Sequence, residues 1–332
     1  MTHIIIILIL WASMMHGNAW AGEVVAKITS LDPRFEKLIP KDANLEKIAD
    51  GFTWVEGPVW NKQGGYLLFS DIPANAVYQW KPDEGTRVFL RNSGYGGSTP
   101  FAGKEPGSNG LTFDADGRLV ICRHGEREIG RLEANGRITS LATSYDGHRI
   151  NSPNDLAFKS NGDLYFTDPP FGLPHAFDDP DKAPVQGVYR LAKDGTITRV
   201  ISDIKAPNGI AFSPDEKTLY VSDVDPDRAA WLAYDVKPDG TAMNGRVLFD
   251  ATRWRKDPFF GPDGFKVDQD GNIFGARPGG LSVIAPDGTL LGTVETEQPT
   301  SNVAWGEDGS TLYVTGGSSV YRIRLTTRGA RY

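Results

Sequence analysis

The sequence predicts an all-β fold, a six-bladed β-propeller around a central channel, on three observations. Six segments share one pattern: a polar residue just ahead of a strand, a Gly- or Asp-bearing turn, and a returning strand that ends fourteen or fifteen positions after the start. They read EGPVWNKQGGYLLFSD, NGLTFDADGRLVICR, NDLAFKSNGDLYFTD, NGIAFSPDEKTLYVSD, DGFKVDQDGNIFGAR and NVAWGEDGSTLYVTG. They recur at roughly the forty-to-fifty-residue spacing of propeller blades. Spread over about residues 50 to 325, they leave no room for a linker, so one closed ring is expected.

The starters are Glu56, Asn109, Asn154, Asn208, Asp263 and Asn302, and the hairpin ends are Asp71, Arg123, Asp168, Asp223, Arg277 and Gly316. An antiparallel hairpin sets its first residue beside its last. With the first strand of each blade lining the channel, both rings are expected at one mouth. Three longer connections, residues 92–108, 169–187 and 251–262, belong to the same end. They bring Tyr95, Phe101, Phe171, His175, Phe177, Trp254, Phe259 and Phe260 to a polar rim, the usual build of a small-molecule site. The intra-hairpin turns of the other face are short and polar, plain connectors; DADG at 114–117 and DQDG at 268–271 fall there and read as structural.

The ends of the chain complete the ring. SSVYRIRLTTR alternates like an outer strand, and a strand from residues 22–50 is expected to join the last blade and remove its open edge. Before it, IIIILILWASMM followed by Ala19-Trp20-Ala21 has the form of an export signal cleaved after Ala21, with the single propeller domain running from 22 to 332; the weakly charged MTH start leaves an uncleaved membrane anchor as the alternative. Export to the periplasm or medium follows as an expectation, with no membrane attachment after removal. Cys122 is the sole cysteine, so packing rather than an intrachain disulfide must hold the fold. A net charge of −7 without a basic stripe argues against nucleic acid.

Asn or Asp before Gly is ordinarily a turn signal. Glu56, Asn154 followed by Asp155, and Asn302 followed by Val303 do not fit that reading. A Glu, Asn side chains and an Asp converging on one axis supply hard oxygen donors suited to Ca²⁺ or Mg²⁺. Zn²⁺ is disfavoured, since beyond the leader only His124, His148, His175 and one thiol remain. No GxSxG is present to offer a serine nucleophile. His124, one residue past Arg123, is a candidate base at the mouth.

WVEGPVW, NSPNDLAF, APNGIAFSPDEKTLYVSD and GPDGFKVDQDGNIF, in that order, resemble the regucalcin (senescence marker protein), gluconolactonase and luciferin-regenerating family of six-bladed propellers. The resemblance implies one divalent cation, Ca²⁺ above Mg²⁺ or Zn²⁺, on Glu56, Asn154, Asn208 and Asp263. It implies lactone hydrolysis with Asp263 as acid-base residue, His124 remaining the alternative catalytic group. Asn109, Arg123, Asp168, Arg277 and Asn302 complete the expected substrate pocket. Two departures bear on substrate: Ser152 stands where animal regucalcins carry a sugar-binding Arg, and TDPPFGL has no counterpart of their loop Glu. A small lactone or ester is the expected substrate; a phosphotriesterase or arylesterase, a non-catalytic calcium or sugar-acid binder and a protein-binding scaffold are the alternatives.

Overall fold

The computed structural model describes residues 22–24, 26–255 and 260–330; the expected leader and Phe259 lie outside them. Six antiparallel sheets form the blades, with inner strands Val55–Asn61, Ser108–Phe113, Leu156–Phe158, Pro207–Phe212, Phe265–Val267 and Asn302–Gly306. Each inner strand touches the next, and the last touches the first, so the ring closes as the repeats predict. Apolar side chains alternate toward the neighbouring blade and fill the wedges between sheets. Leu68, Leu111 and Ile121 lie between blades 1 and 2, and Trp231, Phe265 and Ile273 between blades 4 and 5. Cys122 is a free, buried thiol in the wedge between blades 2 and 3.

Leu45–Ala49 pairs antiparallel with Ser319–Arg324 of blade 6, and Gly22–Val24 pairs with Leu45–Ala49 beyond it. Lys27–Ser30 adds instead to the outer strand Leu290–Glu295 of blade 5. The N-terminal segment thus clasps two blades, where the sequence suggested one, and covers both outer edges.

At the mouth the residue after each starter explains the local geometry. In blades 2 and 4 the ladder skips at Asn109–Gly110 and Asn208–Gly209, whereas in blade 1 Glu56 stays opposite Ser70 and the skip falls at Gly57–Pro58. In blade 5, Asp263 N donates to Ala276 O while Ala276 N donates to Gly264 O; in blade 3, Asn154 and Asp155 share Thr167 in the same way. Four starters therefore open β-bulges, and Glu56 stands directly before a fifth; a bulge re-aims a side chain at the cost of one ladder pair. They are not turns. A Cβ on Gly209 would lie 2.7 Å from Asp263 O, and one on Gly110 2.6 Å from Asn154 O, so these glycines permit neighbouring strands to close in. Hydroxyls then tie the blades: Ser70 Oγ donates to Asn109 O at 2.8 Å, Thr167 Oγ1 to Asn208 O at 2.7 Å and Ser222 Oγ to Asp263 O at 2.8 Å.

Gly209→Ala is accordingly expected to lower stability by about 1–3 kcal/mol through overpacking against backbone. Ser222→Ala, which removes a tie without a clash, should cost about 1 kcal/mol. Urea unfolding measures both, and an unchanged midpoint for Gly209→Ala would remove the close approach from the account.

Candidate active site

Burial and charge converge on the axis at this mouth. Glu56, Asn154, Asn208 and Asn302 are buried at the starts of the inner strands, while Asp263 keeps part of its surface open although atoms crowd its carboxylate. Glu56 Oε2 accepts the Gly57 N–H at 2.9 Å, Asp263 Oδ1 the Gly264 N–H at 3.0 Å and Asn302 Oδ1 the Val303 N–H at 2.8 Å. Each side chain thereby folds onto the next peptide and stays at the mouth. Glu56 also accepts from the Asn302 amide, and Asp263 from that of Asn208. Asn109 contributes its carbonyl to the tie from Ser70, and its side-chain Oδ1 is buried without a hydrogen-bond partner among the described residues.

Both ring carboxyls are pushed well above the ordinary carboxylate range. For Glu56 the cause is burial, then the negative charges of Asp263 and Asp155; for Asp263 it is burial, opposed by the Gly264 N–H and reinforced by Asp155. Asp155 belongs to a second layer that crosses the channel. Its Oδ2 lies 3.4 Å from Lys266 Nζ and accepts from Asn302 Nδ2 at 3.3 Å, while Lys266 Nζ also reaches Asn302 Oδ1 at 3.4 Å and Phe265 O at 3.1 Å. Three carboxylates thus face one ammonium, and full ionisation leaves a formal charge of two minus. That balance, with Asn oxygens alongside, fits one divalent cation of hard preference. Among the described residues no three His, Cys, Asp or Glu side chains gather into a metal site by themselves, so the fit rests on the two ring carboxyls together with the amide side chains.

The second layer escaped the sequence expectations, although it left signals. Asp155 occupies the position filled by Gly in four other repeats, and Lys266 is a basic residue inside an inner strand.

The hairpin ends behave differently from the starters. In the ladders Asp71 lies opposite Val55, Arg123 opposite Ser108 and Asp223 opposite Pro207, each the residue before the starter. A one-residue offset turns a side chain to the other face. Both sets stay at one end of the axis, as expected, but the expected second polar ring is corrected: the aspartates turn to the loops entering the inner strands. Asp71 accepts the Thr53 and Trp54 N–H groups at 3.0 and 3.2 Å, Asp168 that of Asn151 at 2.8 Å and Asp223 that of Ala206 at 2.9 Å. Burial raises Asp168 to about 7 and Asp223 to about 6, against the pull of these amide bonds. Arg123 binds Ser93 O at 2.9 Å and pairs with Glu128. Arg277 donates to Ser282 Oγ at 2.8 Å and lies 4.7 Å over the Trp254 ring. All three of Arg123, Asp168 and Arg277 brace the wall of the pocket and do not join the ring.

The long loops fold over the mouth. His124 is wholly buried beneath them, its ring against Gly172, and its Nδ1 stands 3.1 Å from Glu105 Oε2 but off the line that a hydrogen bond needs. Glu105 is a further residue of the mouth that the repeat pattern does not reveal; it is partly exposed, and its charge reaches Asp263. Ser152 donates to Pro169 O at 2.6 Å and accepts from Gly172 N at 2.9 Å, so it stitches the 169–187 loop down where the animal relatives place an arginine. Aromatic pairs Tyr95–Phe101, Phe171–Phe177 and Trp54–Phe260 stand around the rim. His175 is exposed on the same loop as Phe171.

The molecule is therefore a closed six-bladed propeller with an oxygen-rich, anionic small-molecule site at one end of its axis. The chain belongs to the SMP-30/gluconolactonase/LRE-like family, whose model matches residues 54–318. It is 39% identical over 324 residues to the gluconolactonase of Zymomonas mobilis, covering 94% of this chain and 90% of that protein. Among solved structures, a gluconolactonase from Xanthomonas campestris superposes with a TM-score of 0.78 at 32% identity, over 92% of this chain and 97% of the other. A calcium-binding regucalcin from Agrobacterium tumefaciens shares the fold with a TM-score of 0.68 at 20% identity, over 85% and 94%.

Asp168 provides a test of the wall. Its folded pKa of about 7 stands above the ordinary carboxylate value, so between about pH 4 and pH 7 the folded chain binds a proton that the unfolded chain releases. Stability from this group is therefore lost as pH rises through that window. Compared with Asp168→Asn, the wild type should lose ground from pH 4 to 7 and then hold a constant difference. A gap in unfolding free energy that stays flat across the window would contradict the assignment.

Proposed function

We propose that the protein is a lactone-hydrolysing enzyme whose site is the starter ring. The observation that carries this is the pair of carboxyls crowded at the axis, buried Glu56 and partly open Asp263, beside Asn208 and Asn302 and without an ion pair of their own among the described residues. The likeness to gluconolactonases supports a sugar-type lactone as the substrate class. Glu56, Asn154, Asn208 and Asp263 would hold one divalent cation, in first place Ca²⁺, which when bound supplies Lewis-acid polarisation of the lactone carbonyl.

The chain's own groups account for the rest. Asp263 is the ring carboxyl with surface open to the mouth, and Asn208 and the Gly264 N–H fix its orientation. It is placed to take the proton of the attacking water and to return it to the ring oxygen that leaves as the ester bond breaks. His124 is enclosed, so its role is to seat the 92–108 and 169–187 loops, with Glu105 between it and the mouth. Tyr95, Phe101, Phe171 and Phe177 give the substrate apolar walls and limit water.

Steady-state assays on five- and six-membered sugar lactones test this reading. Turnover should exceed the metal-only blank, vanish with a chelator and return with Ca²⁺. His124→Gln should keep kcat within about tenfold of wild type, whereas Asp263→Ala should abolish turnover; a loss of about 10²-fold or more in His124→Gln would make His124 the base. Cleavage of a phosphotriester with no lactone turnover would replace the lactonase reading altogether.

A further inference from the structure

The channel has a second mouth, on the face of the short turns, and it is built quite differently. A cavity of about 950 Å³ opens there, lined by all six inner strands. Its walls include Trp60, Phe113, Phe158, Phe212, Val267 and Trp305, one from each blade. The volume lies at the upper end of the range for small-molecule pockets, roughly 300–1,000 Å³. None of the ring residues, Glu56, Asn154, Asn208 or Asp263, borders it, and Lys266 lies between the two ends of the channel, with its ammonium directed at Asp155 and Asn302.

The charges around this cavity are one-sided. Six Lys or Arg residues line it against two acidic residues, Asp114 and Asp116, in a chain of net charge −7. Arg118 is held by those two acids, Asp114 at 2.8 Å and Asp116 at 2.6 Å, whereas Arg131 meets Glu133 at 2.8 Å and Lys159 meets Glu216 at 3.4 Å, and neither Glu borders the cavity. An occupant therefore meets aromatic and aliphatic walls below and cationic groups at the rim. Long basic side chains can turn their heads to such a rim while their stems cover apolar surface.

We propose that this second mouth is a binding site for an apolar-bodied organic anion of medium length, such as a fatty carboxylate, with its tail in the cup and its head among Arg131, Lys159 and Lys193. Each buried methylene of an alkyl tail strengthens binding about fourfold, so eight to ten carbons suffice for binding without any contact to the ring. The site is independent of lactone chemistry.

Decanoate is the probe, read by the fluorescence of Trp60 and Trp305 and by calorimetry, with decanol and decyltrimethylammonium as comparators. Decanoate should bind saturably at one site below about 1 mM, and the alcohol and the cation about tenfold or more weaker. Thr112→Trp, which fills the cup from a half-exposed wall position, should weaken decanoate by about tenfold or more; Lys193→Glu at the rim should weaken it by about threefold or more. Lactone turnover, measured in parallel, should be unchanged in both variants, and gluconolactone should not displace the probe. Absence of saturable binding, equal binding of the cation, indifference to both substitutions, or displacement by gluconolactone would each overturn the proposal.

Discussion

Everything at the working end of this propeller depends on how closely six inner strands can approach one another at one mouth. Side chains with a Cβ would hold them apart. Glycine after the starter in four blades removes that barrier, and Ser or Thr hydroxyls from the second strands then bind the starter carbonyls across the blade boundary. The bulge formed at the same place aims the starter side chain at the axis. One local device, repeated, thus sets both the diameter of the mouth and the direction of its polar groups.

That geometry forces an electrostatic problem on the fold. Glu56, Asp263 and Asp155 are brought together, burial disfavours the charged forms of Glu56 and Asp263, and among the described residues Lys266 is the cation that pairs with the group, through Asp155. A scaffold with no further role gains nothing from such an arrangement, because uncompensated buried carboxyls cost stability. The apolar wedges between blades and the N-terminal clasp over blades 5 and 6 supply the stability that tolerates it. The dication proposed for the ring would resolve the imbalance and turn the same charges to catalysis.

Much of this is legible in the sequence. The repeats locate all six inner hairpins, and the polar starters mark the axis. What misleads is local: Asn-Gly and Asp-Gly carry the same letters in a turn and in a bulge, and only the neighbouring blade, absent from a linear reading, distinguishes them. The hairpin ends are displaced by one residue for the same reason, since a bulge shifts register and a single step reverses which face a side chain takes. Asp155 and Lys266 break the repeat pattern, and that break is the available signal. Glu105 lies in a long loop whose fold over His124 depends on contacts with the 169–187 loop, which sequence spacing does not encode.

The central claim is that the starter ring is a seat for one hard dication. Diffraction from crystals grown with Ca²⁺ tests it most directly. The account predicts a single ion on the axis with side-chain oxygens of Glu56, Asn154, Asn208 and Asp263 at roughly 2.3–2.6 Å and water completing the shell. An ion bound by other residues, or a ring holding only water at saturating Ca²⁺, would contradict it.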